Sequence, residues 1–288
     1  MFFFVTRNKC TENRFYQSIF IVFLLKQMSI TKQLKITFLG TGTSTGVPMI
    51  GSQHPVAYSN NSKDKRLRSS IMISWDEHVY IVDSGPDFRQ QMIRENIKSI
   101  DGVLFTHEHS DHVAGFEDVR PFSFRSGEVP IYLTKRVFKA LEKRYDYIFA
   151  VKNRYPSAAK VKPIIISKND FFYLNGVKVL PVEVMHGELP ILGFRFNNFA
   201  YITDIKYITD EEKRKLSQLD SLVVTGLKKE LHDTHFNLEE ALNFIEELQP
   251  KQAFLTHISE LLGFHDEVQK GLPDNVHLAY DGLHFMST

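Results

Sequence analysis

The sequence contains a single cysteine, Cys10, among its 288 residues. One cysteine cannot form a disulfide within the chain, and such a low content is typical of proteins in reducing compartments. We therefore expect a cytoplasmic protein. The apolar share of 43% and the charged share of 24% are those of an ordinary globular chain. A chain of this length can bury a sizeable core.

An apolar run long enough to cross a bilayer is also missing. The run IFIVFLL at Ile19–Leu25 is far too short for that, so we expect no stable membrane association. The first 28 residues carry a net charge of +3, whereas the remainder carries −2. We predict a dispensable tail at residues 1–30, which would lie outside the native protein if translation begins at Met28. A secretory or membrane-associating segment and a packed helix are the alternatives, although no small-residue cleavage site follows the apolar run.

The rest of the chain lacks a linker rich in proline, glycine or serine, and it lacks a short-period repeat. We therefore predict one domain over residues 31–288. Strand patterns outnumber helical ones, and hairpins are mixed with helical connections. This mixture favours an α/β (α+β) fold with two facing mixed sheets and helices outside over a doubly wound parallel sheet.

Several local signals predict individual elements. Asn175-Gly176 lies between two strand-like segments and is typical of a hairpin turn. Thr209–Glu212 predicts a capping box that opens a helix to about Leu219, and Asn237–Glu240 predicts a second box. The segment Lys135–Tyr147 is expected to form one helix.

One stretch concentrates metal-binding side chains. It follows the apolar run Gly102–Phe105, which we expect to be a buried strand. Imidazole and carboxylate groups bind zinc, manganese or iron, and a core does not tolerate so many polar groups unless something pairs them. The stretch reads THEHSDHVAG, and five such residues fall within six positions: His107, Glu108, His109, Asp111 and His112.

Three further strands are expected to end in a candidate ligand. The runs VEVM, AYIT and AFLT lead into His186, Asp204 and His257. A single histidine at a strand end is most often a structural residue, but four such ends in one chain are hard to explain by chance. If the strands share one sheet edge, these side chains converge there.

The order His107-x-His109-x-Asp111-His112, then His186, Asp204 and His257, resembles the metallo-β-lactamase superfamily. The similarity runs from about residue 34 to residue 285. The segments GTGTSTGVP and IVDSGPD and the region of His235 are most similar to the phosphodiesterase branch. That branch contains phosphoribosyl cyclic phosphate phosphodiesterase and, more distantly, ribonuclease Z. The resemblance implies a four-layer αβ/βα sandwich with two metals at one end of the facing sheets.

The resemblance also implies which side chains bind two divalent ions. Ions roughly 3.5–4 Å apart share a water, lower its pKa, present hydroxide to phosphorus and neutralise phosphoryl charge. Zn²⁺ and Mn²⁺ both suit such ligands. We also assign Asp111 a catalytic role. The implied ligands are His107, His109 and His186 for one ion, Asp111, His112 and His257 for the other, and Asp204 as the bridge.

Two residues outside this set have implied roles. Asp83 follows an apolar strand and is expected to support the site from behind the ligands, although an aspartate before Ser84-Gly85 is also typical of a turn. His235, in LHDTHF, is expected to stabilise a phosphorane oxygen or to protonate the leaving group. A plain loop histidine is the alternative for His235, and His232 is the competing candidate for its role.

The segment Lys135–Lys162 carries a local net charge of +7, interleaved with tyrosines. It predicts either a solvated surface or a rim that attracts an anionic substrate through residues such as Arg144, Lys152 and Arg154. The expected partner is a small anionic phosphodiester, linear or cyclic, or a nucleotide. A nucleic-acid substrate is less favoured. The sequence is compatible with a homodimer.

The sequence departs from the family pattern in two places. Relatives often place structural-zinc cysteines after the glycine-rich turn, but residues 51–57 have none, so we predict no such zinc and treat His54 as a loop histidine. Glu260 stands where relatives often have histidine.

Two rival activities are compatible with the same metal ligands. One is hydrolysis of a thioester or other acyl substrate. The other is a ribonuclease Z-like processing activity, for which a tRNA-gripping arm is not evident.

Overall fold

The computed structural model describes residues 32–288. The predicted tail at residues 1–30 lies outside the described residues. Residues 33–288 form one compact unit. Between residues 32 and 288, no helix is long and apolar enough to cross a membrane.

Fourteen strands in this part of the chain form two sheets of seven. The first sheet contains β1 (Leu34–Gly40), β2 (Ser70–Trp75), β3 (His78–Val82), β4 (Gly102–Leu104), β5 (Val129–Leu133), β6 (Val161–Ile165) and β14 (His284–Ser287). The second contains β7 (Phe172–Leu174), β8 (Val177–His186), β9 (Leu189–Phe196), β10 (Phe199–Ile202), β11 (Ser221–Thr225), β12 (Gln252–Thr256) and β13 (Val276–Leu278).

The spatial orders are β14-β1-β2-β3-β4-β5-β6 and β13-β12-β11-β10-β9-β8-β7. In the first sheet, β3 to β6 are parallel and the strands from β14 to β3 pair antiparallel. In the second, β10 to β13 are parallel and β7 to β10 pair antiparallel. The predicted pair of mixed sheets is confirmed.

Eight α-helices connect or flank the described strands. They are α1 (Phe88–Arg94), α2 (Ser110–Val113), α3 (Arg120–Ser126), α4 (Lys135–Arg144), α5 (Asp146–Phe149), α6 (Asp210–Arg214), α7 (Leu238–Leu248) and α8 (His265–Gln269). Short 3-10 helices occur at Pro55–Tyr58, Ser62–Asp64, Phe116–Val119 and Glu260–Leu262.

The period-two alternation of the strands divides the core into layers. In β10, Phe199 and Tyr201 belong to the core between the sheets, whereas Ala200 and Ile202 belong to a second core that includes residues of α7. A third core joins the other face of the first sheet to the helices from α1 to α5. Helix, sheet, sheet and helix layers follow, which confirms the predicted four-layer sandwich.

Two local signals agree with the structure. Asn175 and Gly176 adopt φ angles of 44° and 89°, as a two-residue hairpin turn requires, and they join β7 to β8. The box at α7 is complete, because the Asn237 side chain accepts from Glu240 N at 2.9 Å and the Glu240 carboxylate accepts from Asn237 N at 2.9 Å.

The box predicted at Thr209 is only half formed. The Thr209 hydroxyl caps α6, but the Glu212 carboxylate accepts from the backbone N–H of Glu183 at 2.7 Å instead of turning back to Thr209. The helix also ends at Arg214, short of the predicted Leu219, and the next turn closes with tighter bonds such as Leu216 N to Lys213 O. Tertiary hydrogen bonding overrides the local motif here.

One other prediction of secondary structure was incomplete, and two edge strands were not predicted. The helix expected at Lys135–Tyr147 is divided at Tyr145, whose φ of −125° and ψ of 48° are not helical. The pattern missed β6, an edge strand whose Pro163 is tolerated because an edge strand need not donate on both sides. It also missed the short edge strand β14.

Candidate metal centre

The candidate ligands lie at one end of the two facing sheets. His107 follows β4 of the first sheet, whereas His186 ends β8, Asp204 follows β10 and His257 follows β12 of the second sheet. The four strand ends therefore do not share one sheet edge, but they lie at one end of the two facing sheets, as the family resemblance implies. The side chains converge because the two sheets face each other with these strand ends together.

All seven predicted ligands are brought together in two groups that have no member in common. Within each group the ligand atoms lie within 4.8 Å of one another. Glu108 is in neither group, and its carboxylate pairs with Arg136 of α4 at 3.0 Å. Its position as a spacer in the motif agrees with this contact. The groups are His107, His109 and His186, and Asp111, His112, Asp204 and His257.

Buried nitrogens in these groups lack hydrogen-bond partners. The Nε2 atoms of His107, His112 and His257 are buried and make no hydrogen bond within the described chain. His112 Nε2 lies 3.2 Å from a carboxylate oxygen of Asp111, and His257 Nε2 lies 3.1 Å from one of Asp204. An unmet buried polar atom costs about 1–3 kcal/mol, and nitrogen and oxygen donors around one point suit a divalent cation. The residues present therefore fit a metal centre.

Asp83 supports two of the histidines from behind. Its carboxylate accepts from His112 Nδ1 at 2.7 Å and from the Thr106 hydroxyl and amide at 2.8 Å each. Because the Thr106 hydroxyl gives its proton to Asp83, its oxygen accepts from His107 Nδ1 at 3.0 Å. Both rings are thereby left with Nε2 free to bind metal. Burial raises the pKa of Asp83, and the contacts with His112 and Thr106 oppose the rise.

Threonines before the ligands were missed by the sequence reasoning. The Thr203 hydroxyl donates to Asp204 Oδ2 at 2.5 Å, and the Thr225 hydroxyl accepts from Asp204 N at 2.7 Å. Thr106 and Thr256 occupy the corresponding place before His107 and His257. The signal was in the sequence, since LFTH, YITD and FLTH share the order of two apolar residues, threonine and ligand.

Three residues of the centre adopt left-handed backbone conformations. The φ angles of Asp83, Asp204 and His257 are 65°, 56° and 55°. Such conformations are uncommon for residues with a side chain, and they cluster at functional sites. The neighbouring Gly85 packs so closely against the metal loop that a Cβ there would lie 2.0 Å from the Asp111 carbonyl oxygen. Sequence patterns do not reveal these conformations.

The charges of the cluster favour the metal-binding protonation states of His107 and Asp204, whereas in the absence of metal they favour the protonated form of His112. Burial, and then His112, lowers the pKa of His107 well below its usual value. Burial opposes charge on His112, but Asp204 and Asp111 raise its pKa well above the usual value. Burial opposes charge on Asp204 as well, yet His257 and His112 hold its pKa well below the usual range. A neutral His107 and an ionised Asp204 are the forms that metal binding requires.

His235 reaches the same cluster from the segment before α7. Its Nε2 lies 3.0 Å from Asp204 Oδ1, its ring stacks on His257 at 4.9 Å, and it meets His186 edge-on at 4.5 Å. Burial is the main cause that lowers the pKa of His235 to about 4. With His186 and Asp204 it also forms a third group with ligand-like spacing, so the geometry permits a ligand role besides the predicted one.

Part of the basic segment borders the metal loop. Arg144 Nη2, in α4, lies 3.5 Å from the Ser110 hydroxyl, and the Tyr145 hydroxyl donates to the Val113 carbonyl. Lys152 is exposed. Arg154 instead donates to the carbonyls of two neighbouring residues, Ile148 and Ala159. Its guanidinium therefore braces its own loop, which argues against its predicted place in the rim.

Glu260 holds the loop that follows the glycine-rich turn. The Ser52 hydroxyl donates to its Oε1 at 2.6 Å, and Met49 N lies 3.4 Å from its Oε2. Thr43 N donates to the Ile258 carbonyl at 3.0 Å, which joins the turn to the strand end that carries His257. His54 accepts from Val56 N and caps the short helix Pro55–Tyr58.

The chain is similar to known proteins over most of its length. Residues 78–258 match the family model described as a beta-lactamase superfamily domain. Over 252 residues the chain is 36% identical to an octanoyltransferase of Porphyromonas gingivalis, with 87% of this chain and 51% of that protein covered. The chain thus spans about half the length of that relative.

Two solved structures are also similar to this chain over most of its length. A diphosphatase from the PhnP family is 38% identical, with a TM-score of 0.82, and the match covers 88% of this chain and 97% of that chain. The short form of human tRNase Z is 18% identical, with a TM-score of 0.63, and the match covers 87% of this chain and 98% of that chain. At that identity the second likeness shows the fold alone.

Proposed function

This chain belongs to the beta-lactamase superfamily and, within it, to the PhnP family, and we propose that it is a metal-dependent phosphodiesterase. The proposed substrate is a small anionic phosphodiester, linear or cyclic, or a nucleotide. The product pair is a phosphomonoester and an alcohol, since water adds to phosphorus as one P–O bond breaks. We place the reaction in a reducing, cytoplasmic compartment, in keeping with the single cysteine.

Two divalent ions, Zn²⁺ or Mn²⁺, would supply hydroxide at neutral pH and neutralise charge on the phosphoryl oxygens. His107, His109 and His186 would hold one of them. Asp111, His112 and His257 would hold the other. Asp204 would bind both ions, because its ligand atom lies within 4.8 Å of that of His186 in one cluster and of those of His112 and His257 in another. The Nδ1 hydrogen bonds of His107, His112 and His186 leave each Nε2 as the metal-binding nitrogen.

The observation that carries the proposal is the position of His235. It is outside the seven-residue ligand set, yet its Nε2 lies at the cluster, 3.0 Å from Asp204. In the imidazolium form of His235, the proton on this nitrogen can pass to the oxygen that leaves phosphorus, which a phosphodiester with a poor leaving group requires. Hydrolysis of an activated acyl substrate gives His235 no comparable task.

The relatives support neighbouring activities as well. The PhnP-family structure is named a diphosphatase, and a diphosphate bond presents the same phosphoryl oxygens to the same cluster. We therefore carry hydrolysis of a diphosphate as the second candidate. The octanoyltransferase name favours an acyl substrate, but this chain covers only 51% of that protein, so the name describes a much longer chain.

A three-substrate assay tests the proposal. The protein is loaded with Mn²⁺ or with Zn²⁺ and offered bis(p-nitrophenyl) phosphate, a nucleoside diphosphate and an acyl thioester in parallel. We expect the phosphodiester to be cleaved and the thioester to be left intact. Cleavage of the diphosphate alone would select the second candidate, and cleavage of the thioester alone would overturn the proposal.

A further inference from the structure

His232 lies directly against His235 on the side away from the metal cluster. The two Nδ1 atoms are 3.2 Å apart, and the ring centroids are 5.0 Å apart with the planes inclined at 62°. The Thr234 hydroxyl lies 2.9 Å from His235 Nδ1 and 3.3 Å from His232 Nδ1. His235 is thus contacted on both ring nitrogens, by Asp204 at Nε2 and by this pair at Nδ1.

The backbone determines the direction of the contact between the rings. The amide of Thr234 donates to His232 Nδ1 at 3.3 Å, so that nitrogen acts as an acceptor. In the imidazolium form of His235, which proton transfer to a leaving group requires, both ring nitrogens carry protons. In that form Nε2 donates to Asp204, and Nδ1 donates to His232 or to the Thr234 hydroxyl. Either bond holds the His235 ring with Nε2 toward the cluster.

The same turn also orients a predicted ligand. The carbonyl of Thr234 accepts from His186 Nδ1 at 2.9 Å. The four residues from His232 to His235 therefore hold two imidazoles of the centre at once, one predicted to bind metal and one predicted to move a proton. A single contact made by a free loop would not fix either ring as firmly.

We propose that His232 is a positioning residue for His235. It holds the His235 ring through Nδ1 so that Nε2 stays aimed at the leaving-group oxygen, without touching the substrate itself. This role rests on the proposed phosphodiesterase function. Since a displacement of about 1 Å in a catalytic group can cost about 100-fold in rate, the contact is worth retaining.

Kinetics of three variants test the role. His232→Phe keeps a ring but removes the acceptor, and we expect kcat to fall about 10-fold or more with an alkyl leaving group while KM stays unchanged. The loss should be smaller with bis(p-nitrophenyl) phosphate, because p-nitrophenolate departs without a proton. His232→Asn retains an acceptor oxygen and should recover most of the loss. His284→Phe, on the exposed edge strand β14, is the matched control.

A double-mutant comparison and a spectroscopic readout complete the test. If the two histidines act together, His232→Phe added to His235→Ala should cause no further loss. In the Zn²⁺-loaded protein, the ring ¹⁵N spectrum of His235 should show a proton on Nδ1 in wild type and in His232→Asn. His232→Phe should change that signal, whereas Thr234→Val should retain it if His232 is the main acceptor.

The outcomes separate this role from the proposed function. Equal losses for both leaving groups, or an unchanged His235 spectrum in His232→Phe, would overturn the positioning role even in an active phosphodiesterase. A wild-type protein that cleaves no phosphodiester would overturn the proposed function. The His235 spectrum would then still decide whether His232 orients that ring.

Discussion

Asp83 accepts a hydrogen bond from His112 Nδ1 at 2.7 Å, and both side chains are completely buried. The same carboxylate oxygen also accepts from the Thr106 hydroxyl. Two donors thus converge on one oxygen while the Thr106 amide donates to the other, and only a carboxylate offers an acceptor to all three. The pair explains how a buried histidine keeps its metal-facing nitrogen free.

Replacement of this carboxylate by an amide tests its role. In Asp83→Asn, the amide nitrogen replaces one of the two oxygens. In one orientation it faces the two donors, His112 Nδ1 and the Thr106 hydroxyl, and in the other it faces Thr106 N, whose hydrogen bond is then lost. We expect the affinity for Zn²⁺ to fall about 10- to 100-fold, as for other supporting partners of metal-bound histidine. Chelator competition measures the affinity. Asp101→Asn removes a carboxylate that pairs with His78 at the end of β3 and β4 away from the cluster, and it should leave the affinity unchanged. An unchanged affinity in Asp83→Asn would refute the role.

Acid should destabilise the protein through His265. This ring is buried, and its Nδ1 lies 3.2 Å from the guanidinium of buried Arg66. Burial, and then Arg66, lowers the pKa of His265 from 6.5 to about 4. The unfolded chain therefore binds a proton that the native chain excludes. The stabilisation is complete above pH 6.5 and is lost as the pH falls through about 4.

Urea unfolding at a series of pH values measures this effect. At about 1.4 kcal/mol per pKa unit, and with partial solvent screening, the loss between pH 7 and pH 4 should be about 2 kcal/mol. His265→Gln keeps an acceptor for Arg66 but does not titrate, so its curve should be flatter than that of wild type by this amount. His284→Gln serves as the control, and parallel curves for wild type and His265→Gln would contradict the assignment.

The basic segment should act on substrate capture rather than on chemistry. Arg144 borders the metal loop and Lys152 is exposed, so the double change to alanine should raise KM several-fold with little effect on kcat. The effect should shrink at high ionic strength. Arg154 is left in place because it braces its loop.

A matched pair of lysines provides the control for that experiment. Lys35 and Lys178 lie at the starts of β1 and β8, at the end of the sheets away from the cluster. Their change to alanine removes the same charge but should not alter KM. If both double variants behave alike, or if KM shows no salt dependence, the segment is an ordinary solvated surface.

Much of the centre could be predicted from the chain because its ligands are marked by residue type and place. His107, His186, Asp204 and His257 each follow an apolar run, and polar groups at such places are uncommon unless paired. The pattern could not show that the four strand ends belong to two sheets. That arrangement depends on how hairpins and parallel connections assemble, which short-range periodicity does not contain.

The errors have physical causes that lie outside local sequence. Glu212 has the spacing of a capping box, but a tertiary bond to Glu183 N claims its carboxylate. Strand β6 was not predicted because Pro163 is atypical of a strand interior. The proline is tolerated because β6 lies at a sheet edge. The contact of His235 with Asp204 joins residues 31 positions apart on separate connections, so the motif alone could not reveal it.

The turnover and the metal content of His235→Ala, measured on the same protein sample, test the central claim most directly. The variant should bind the same number of ions per chain as wild type, because His235 is outside the predicted ligand set. Its turnover of an alkyl phosphodiester should fall about 100- to 10,000-fold, as expected for loss of a general acid. Unchanged turnover with intact metals would remove His235 from the mechanism, and loss of one ion per chain would show that it is a ligand instead.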